Sequence, residues 1–287
     1  MNPTTTAFKI DARTTIGYVA LKVANLAEMT TFYQEVVGLS LLAGDEQESL
    51  LGAGQRTLLR LRKITEPLPL TRRTGLYHVA FLLPTRRDLG TALFHYLQVA
   101  APLAGASDHG YSEALYLTDP EGNGIEVYHD KERSQWDIRA DGEILGITEP
   151  MDAEGVLAAA DRNWNGFVPE TTVGHVHLKV ADLAASDTFY REIMGLSLTS
   201  NFGSQAKFFA AGDYHHHLGA NNWLGAQVPP MEEHDLGLDY YTYQVPDTTE
   251  LTRLAAHFKA SGVDFKAEAN RLTVTDPNGI VVVVEGK

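Results

Sequence analysis

Residues 16–42 read IGYVALKVANLAEMTTFYQEVVGLSLL, and residues 173–199 read VGHVHLKVADLAASDTFYREIMGLSLT. Each copy begins with an alternating apolar run, which is typical of a strand. A polar residue, Asn25 or Asp182, stands where a helix N-cap belongs, and the helical pattern that follows stops at a glycine in both copies. This stretch therefore predicts a strand followed by a helix, and it occurs twice.

A weaker echo of the same pattern follows each copy, in residues 75–105 and 237–265. Both echoes lead to a turn sequence, DPEGNG at 119–124 and DPNG at 276–279, and Asp-Pro followed by Asn or Gly favours a tight turn. The chain is therefore predicted to be an α+β protein of four βαβββ modules, near residues 14–63, 75–130, 171–226 and 236–286. We expect an N-terminal domain at 1–130, a connector at 131–170 and a C-terminal domain at 171–287.

Composition limits the functions that this chain can have. The 287 residues are 44% hydrophobic and 21% charged, which is ordinary for a globular protein. No apolar run approaches the roughly 18 residues that a membrane span needs, and no secretion signal is visible, so a cytoplasmic location is expected. Cysteine is absent, so any metal must take nitrogen and oxygen ligands. A net charge of −14 argues against a nucleic-acid partner.

The four modules differ at positions that carry metal-binding side chains. One position in the first strand holds Tyr18, His78, His175 and Tyr240 in modules one to four. In the last strand, Glu126 of module two corresponds to Val283 of module four. A lone strand histidine is usually a structural residue, but three metal-capable residues at corresponding positions favour a site. We therefore predict a metal centre at His78, Glu126 and His175, suited to Fe(II), with Mn(II) as the alternative.

The segment that leads to Glu126 carries two further polar side chains, His109 and Tyr116. If the hairpin is symmetric about Glu121, Tyr116 lies directly opposite Glu126 and on the same face of the sheet. A tyrosine hydroxyl beside a metal carboxylate suits a hydrogen bond to substrate or ligand, and a core tyrosine with a satisfied hydroxyl is the alternative.

The same segment resembles the signature of the extradiol ring-cleavage dioxygenases. The order is His109, five residues, Leu115-Tyr116, two residues, Asp119-Pro, one residue, a glycine, three residues and Glu126. Over nearly the whole chain, the modules resemble the vicinal-oxygen-chelate superfamily, which includes glyoxalases, bleomycin-resistance proteins and extradiol dioxygenases. Within it, the chain is most similar to the two-domain catechol 2,3-dioxygenases. The resemblance implies two tandem vicinal-oxygen-chelate domains.

A consecutive histidine triplet, His215 to His217, stands in module three before Leu218-Gly219. It resembles the strand of that family in which a histidine is the acid–base catalyst, and the alignment selects His216. His215 and His217 remain alternatives, because strand alternation puts these two on one face and His216 on the other. A solvated loop or an unrelated metal site would also explain such a triplet.

The resemblance implies an enzyme of aromatic hydrocarbon catabolism that opens a catechol with O2 at a non-haem Fe(II) centre. The product would be of the 2-hydroxymuconate semialdehyde type. His216 would transfer protons, and Tyr116 and His109 would orient the intermediates of ring opening. The rival interpretations are a glyoxalase-like metal-dependent lyase or isomerase, which usually needs a fourth protein ligand, and a non-catalytic resistance protein that binds a small molecule.

The predicted ligands come from both halves of the chain, whereas the best-known extradiol enzymes take all of theirs from one half. His78 and Glu126 belong to module two, and His175 belongs to module three. Modules two and three must therefore share a cavity, within one chain or across a homo-oligomer. The sequence leaves the ring substituents of the substrate and the oligomeric state open.

Overall fold

The computed structural model of the chain describes residues 7–287. Residues 1–6, with which the predicted N-terminal domain begins, lie outside the described part. Within it, module one consists of β1 (Thr15–Val23), α1 (Leu26–Thr31), a π-helical turn (Phe32–Val37), β2 (Ser40–Gly44), β3 (Glu48–Ala53) and β4 (Arg56–Lys63). Module two consists of β5 (Gly75–Leu82), α2 (Arg86–Gln98), β6 (Leu103–Asp108), β7 (Ser112–Thr118) and β8 (Gly124–Asp130). Both follow the predicted βαβββ order.

The connector and the second half complete the chain. The connector holds a 3-10 turn (Arg133–Gln135), β9 (Glu149–Pro150) and α3 (Ala153–Ala158). Module three consists of β10 (Thr172–Lys179), α4 (Leu183–Thr188), a π-helical turn (Phe189–Ile193), β11 (Ser197–Phe202), β12 (Ala206–Ala210) and β13 (Leu218–Asn221). Module four consists of β14 (Gly237–Val245), α5 (Thr248–Ala260), β15 (Phe265–Glu268), β16 (Arg271–Thr275) and β17 (Val281–Gly286). The α+β fold class and the four repeated modules are confirmed.

The sheets combine modules from opposite halves of the chain. One sheet has the order β15-β16-β17-β14-β1-β4-β3-β2, so it joins module four to module one. The other has the order β11-β12-β13-β10-β5-β8-β7-β6-β9, so it joins module three to module two and takes β9 from the connector. The seam of each sheet is an antiparallel pair of first strands, β1 with β14 and β5 with β10.

Local signals in the repeat explain where the first helices begin and end. The Asn25 carboxamide oxygen accepts a hydrogen bond from the Glu28 amide, and the Asp182 carboxylate accepts one from Ala185, as N-caps do. In module one the helix ends at Gly38, whose φ of +111° favours glycine. The final turn is wider than an α-helix, because the Gly38 amide reaches back five residues to the Tyr33 carbonyl.

Strand alternation separates the core from a second face of the sheet. In β8, Ile125 and Val127 are fully buried in the hydrophobic core, which also includes the helices. Glu126 between them points to the other face. In the same way, Leu115 of β7 belongs to the core while Tyr116 faces away from it. The face that is opposite the core therefore carries the polar side chains predicted to form the site.

In each half of the chain, one buried hydrogen bond connects the two modules, and the two bonds are equivalent. The Tyr33 hydroxyl of module one donates to the Asp119 carboxylate in the turn of module two, at 2.9 Å. The Tyr190 hydroxyl of module three donates to the Asp276 carboxylate of module four, also at 2.9 Å. Burial raises the pKa of both carboxyl groups. These bonds therefore stabilise the turn that precedes the last strand of modules two and four.

Within residues 7–287, no helix has both the length and the apolar character that crossing a membrane requires.

We predict that Tyr33→Phe lowers the free energy of unfolding by about 1.5–3 kcal/mol, because it removes a hydrogen bond to a buried carboxylate. Tyr96→Phe is the matched control, since its equally buried hydroxyl donates to a neutral acceptor, the Val37 carbonyl, at 2.9 Å. Its expected loss is about 0.5–1.5 kcal/mol. Urea unfolding monitored by circular dichroism measures both. An equal or smaller loss for Tyr33→Phe would contradict the interpretation.

Candidate active site

Three adjacent strands present His78, Glu126 and His175 on one face of the sheet. Glu126 of β8 and His175 of β10 both pair with Ala80 of β5, one on each side. His78 lies two residues before Ala80 and therefore on the same face. All three side chains are buried. The seam between modules two and three thus forms the site within a single chain.

The ligand-capable atoms of these residues converge. His78 Nε2 lies 3.0 Å from Glu126 Oε2, and His175 Nε2 lies 3.3 Å from the same oxygen. The two Nε2 atoms are 3.2 Å apart. Metal bonds of about 2.0–2.2 Å at octahedral angles separate neighbouring ligand atoms by about 2.8–3.1 Å, and tetrahedral angles separate them by about 3.3–3.6 Å. The three residues therefore fit a divalent metal ion.

The charge state of the site suits the same purpose. Burial lowers the pKa of His175 to about 4, so the imidazole is neutral near pH 7. Burial alone would raise the pKa of Glu126, but His175 and His78 hold it well below its usual value. Two imidazoles and one carboxylate are the donor set of non-haem Fe(II) sites.

The His175 ring is held by packing. Its Nδ1 is buried and has no hydrogen-bond partner among the described residues, although metal-binding histidines usually donate their second N–H. The Tyr128 ring lies 5.0 Å and the His216 ring 4.2 Å from it, measured between ring centroids. These neighbours fix the direction of Nε2.

Tyr116 and His109 form a hydrogen-bonded pair at the edge of this group. Tyr116 is paired with Glu126 across the hairpin, as the symmetric turn predicts. The His109 Nδ1–H donates to the Ile147 carbonyl at 2.8 Å, because a carbonyl only accepts. In a neutral ring Nε2 is then the acceptor, and it lies 2.5 Å from the Tyr116 hydroxyl. Burial raises the pKa of Tyr116, so the phenol stays protonated.

The structure distinguishes the three consecutive histidines. They lie in the loop that precedes β13, whereas the sequence suggested that they belong to the strand. His216 lines the cavity in front of the three predicted ligands, and His215 and His217 do not. Burial lowers the pKa of His216 well below its usual value, so the ring is neutral.

The cavity has a volume of about 410 Å³ and includes all six residues singled out from the sequence. They are His78, His109, Tyr116, Glu126, His175 and His216. Other lining residues are mostly aromatic or apolar, namely Tyr77, Tyr111, Ile147, Phe202, Ala206, Phe208 and Trp223. Trp223 lines the cavity, whereas the large aromatic residues Trp164 and Tyr241 pack elsewhere in the core.

Two further contributions complete the cavity, and only the first of them was not predicted. The connector, to which no chemistry was assigned, supplies a wall at Gly146–Thr148. His177 lies beside the ligands and accepts a hydrogen bond from the Asn221 carboxamide at 3.0 Å. Gly219 allows this ring to approach, because a side chain there would come within 2.9 Å of it. The spacing of His177 from His175 was the one signal for it in the sequence.

The other sheet has a different filling at the equivalent positions. Tyr18 and Tyr240 stand where His175 and His78 stand, and their hydroxyls are hydrogen-bonded at 3.1 Å. Val283 takes the place of Glu126 and packs with both tyrosines. Among the described residues, one group of three or more metal-capable side chains is found, and it is His78, Glu126 and His175.

Comparisons with known proteins agree with this architecture. The model of the Glyoxalase/Bleomycin resistance protein/Dioxygenase superfamily matches residues 15–127 and 172–284. A catechol-2,3-dioxygenase from Bacillus subtilis (strain 168) is 40% identical over 269 residues, which cover 92% of this chain and 94% of the relative.

Two solved structures share the fold at low sequence identity. One is a Bacillus subtilis subsp. subtilis str. 168 protein provisionally assigned as a dioxygenase, with a TM-score of 0.65 and 13% identity, covering 97% of this chain and 86% of the other. The second is glyoxalase I from Zea mays, with a TM-score of 0.57 and 16% identity, covering 95% of this chain and 92% of the other.

We predict that His175→Ala weakens binding of Fe(II) or Mn(II) by more than about 100-fold, because it removes one of three protein ligands. Tyr18→Ala, at the equivalent position of the other sheet, is the matched control and should leave the affinity unchanged. Anaerobic titration with metal analysis after desalting measures both. Equal metal content in His175→Ala and the unsubstituted chain would contradict the site.

Proposed function

The chain belongs to the Glyoxalase/Bleomycin resistance protein/Dioxygenase superfamily, and we propose that it is an extradiol dioxygenase that cleaves a catechol-type ring with O2. The observation that carries the proposal is the convergence of His78, Glu126 and His175 at the floor of an aromatic cavity. Two imidazoles and one carboxylate leave coordination positions open for substrate. The 40% identity to a catechol-2,3-dioxygenase over most of both chains supports the same reaction.

These three residues would hold Fe(II), or Mn(II) as the alternative. When bound, the metal would supply coordination of both catechol oxygens and of O2, with electron transfer between them. Both atoms of O2 would enter the product, a ring-opened semialdehyde of the 2-hydroxymuconate type.

His216 would move the protons. Its ring lies against His175 and on the cavity wall, so a catechol at the ligands comes within its reach. Because burial keeps the imidazole neutral, it can accept a proton from a catechol hydroxyl and return it later. His215 and His217, the alternatives left open by the sequence, do not line the cavity.

Tyr116 and His109 would orient the substrate on the opposite side. The Tyr116 phenol remains protonated, and its single proton would turn from His109 to a developing negative oxygen of the substrate. His109 accepts from that phenol at 2.5 Å and is itself fixed by the connector carbonyl of Ile147. The pair would thus position a donor close to Glu126.

The lining of the cavity favours an uncharged ring with an apolar substituent. The mouth is formed by Phe202, Trp223 and Ile147, each of which is partly exposed. Among the described lining residues there is no lysine or arginine. A carboxylate on the ring would lose its hydration there without a fixed cation to replace it. Alkyl- or aryl-substituted catechols are therefore the proposed substrates.

A glyoxalase-like lyase fits less well. That activity usually needs a fourth protein ligand, and the metal-capable group in the described residues has three members. His216 does not belong to that group of converging donor atoms. A metal-free binding protein would not need the converging donors.

We predict that the chain, reconstituted anaerobically with Fe(II), consumes one O2 per catechol and forms a yellow ring-fission product. An oxygen electrode and visible absorption measure the two together. His175→Ala should abolish the turnover, and Tyr18→Ala should retain it. Thiol-dependent turnover of a ketoaldehyde without oxygen uptake would favour the lyase instead, and catechol cleavage that survives His175→Ala would refute the proposed site.

We also predict that kcat/KM for 4-methylcatechol exceeds that for 3,4-dihydroxybenzoate by at least about tenfold, because the carboxylate lacks a partner. Phe202→Lys should narrow the ratio by supplying a cation at the mouth. Leu41→Lys, which changes a similarly exposed apolar residue away from the cavity, is the control. Steady-state kinetics decides the matter, and an equal preference for both substrates would contradict the prediction.

A further inference from the structure

His215 is buried next to His216 and takes no part in lining the cavity. Its side chain is fully covered by aromatic rings, with Tyr111 stacked at 4.3 Å and Tyr214 at 4.0 Å between ring centroids. The backbone here is also fixed, because the Thr199 hydroxyl donates to the His215 carbonyl at 2.6 Å. A polar ring in such surroundings needs partners for both nitrogens.

Both ring nitrogens of His215 have partners. Nδ1 lies 2.8 Å from Nδ1 of His216, and Nε2 lies 2.8 Å from the Asp130 carboxylate. The other oxygen of Asp130 accepts from the Tyr214 hydroxyl at 2.8 Å, and that hydroxyl is 2.8 Å from the hydroxyl of Tyr128. A continuous hydrogen-bonded chain therefore connects His216 to a carboxylate outside the cavity.

The carboxylate sets the direction of every bond in this chain. An ionised Asp130 only accepts, so His215 must donate from Nε2. In a neutral His215, Nδ1 is then the acceptor, and His216 must donate to it from its own Nδ1. Nε2 of His216 is left unprotonated, with no hydrogen-bond partner among the described residues.

We propose that His215 and Asp130 are positioning residues that hold His216 as the Nδ1–H tautomer, so that its Nε2 is the base presented to the substrate. This rests on the proposed ring cleavage, in which His216 accepts a catechol proton. The opposite tautomer carries its proton on Nε2, so that nitrogen has no lone pair with which to accept a proton from the substrate. The arrangement fixes the tautomer through a carboxylate that never meets the substrate.

Asp130 is suited to this role by its place at the end of β8. Its side chain is 20% exposed and lines a second cavity together with Tyr214 and His217, none of which lines the first. Water reaches the carboxylate there, and the Tyr214 hydroxyl fixes its second oxygen. The carboxylate is therefore partly solvated, and it is connected to His216 through one buried ring.

The tautomers can be measured without turnover. Two-bond proton–nitrogen correlation spectra of the full chain, labelled with 15N-histidine and loaded with diamagnetic Zn(II), distinguish Nδ1–H from Nε2–H rings. His216→Gln and His215→Phe assign the two signals. We expect Nε2–H for His215 and Nδ1–H for His216. An Nε2–H signal for His216 in the unsubstituted chain would overturn the proposal, whether or not any variant folds.

The variant Asp130→Asn tests whether Asp130 determines the tautomer of His216. The amide can donate to His215 Nε2. This would reverse the direction of the hydrogen bonds from residue 130 to His216 and move the proton of His216 to Nε2. We expect the His216 signal to change tautomer and kcat with catechol to fall at least about tenfold, with metal content retained and KM changed less than about threefold. His215→Phe keeps the ring stacking, removes both hydrogen bonds and should lower kcat similarly.

His217→Gln is the matched control. His217 is as buried as its neighbours, but its Nδ1 accepts from the Ala211 amide at 3.2 Å and it faces the second cavity. This variant should keep both the tautomer of His216 and kcat. An unchanged tautomer or an unchanged kcat in Asp130→Asn would overturn the proposal. Absence of catechol cleavage in the unsubstituted chain would instead refute the proposed function and leave the tautomer measurement valid.

Discussion

The antiparallel pairing of β5 with β10 is the constraint on which the site depends. This seam places His175 beside Ala80, and the parallel pairing of β5 with β8 places Glu126 on the other side of the same alanine. A shift of one residue in either register would turn one ligand into the hydrophobic core, because the side-chain period of a strand is two. The buried apolar face of the sheet therefore also fixes the distances between the ligand atoms.

The duplicated sheet shows that the backbone alone does not make a metal centre. Its seam, β1 with β14, brings Tyr18 and Tyr240 to the same place, and their hydroxyls satisfy each other at 3.1 Å. Arg60 also donates to the Tyr240 hydroxyl. The two phenols satisfy each other's hydrogen bonds and pack against Val283. In the other sheet, the two imidazoles and the carboxylate have lone pairs that are directed at one point. The difference between the sheets is therefore chemical and local.

The sequence predicted what depends on local chemistry and on comparison of the copies. The caps at Asn25 and Asp182, the Asp-Pro turns and the βαβββ order follow from short-range preferences. Long-range packing decides which modules share a sheet. The predicted ligand set implied that modules two and three meet, but no local pattern in the sequence gave a physical reason for that pairing. The Asp130–His215 contact spans 85 residues, so no local pattern in the sequence predicts it. The wall supplied by residues 146–148 follows from the path of the connector, which has no counterpart in the repeat.

The place of Asp130 follows from the electrostatics of the cavity. A neutral histidine that must accept a proton benefits from a nearby carboxylate, yet a second carboxylate in the cavity would stand beside Glu126. It would compete for the metal and, being unpaired, would itself take up a proton. His215 avoids both effects. Its two nitrogens connect His216 to Asp130 by hydrogen bonds, and its buried ring separates the Asp130 carboxylate from the cavity. The negative charge at the proposed metal site thus remains that of Glu126 alone, and the proposed base, His216, is held from behind the cavity wall.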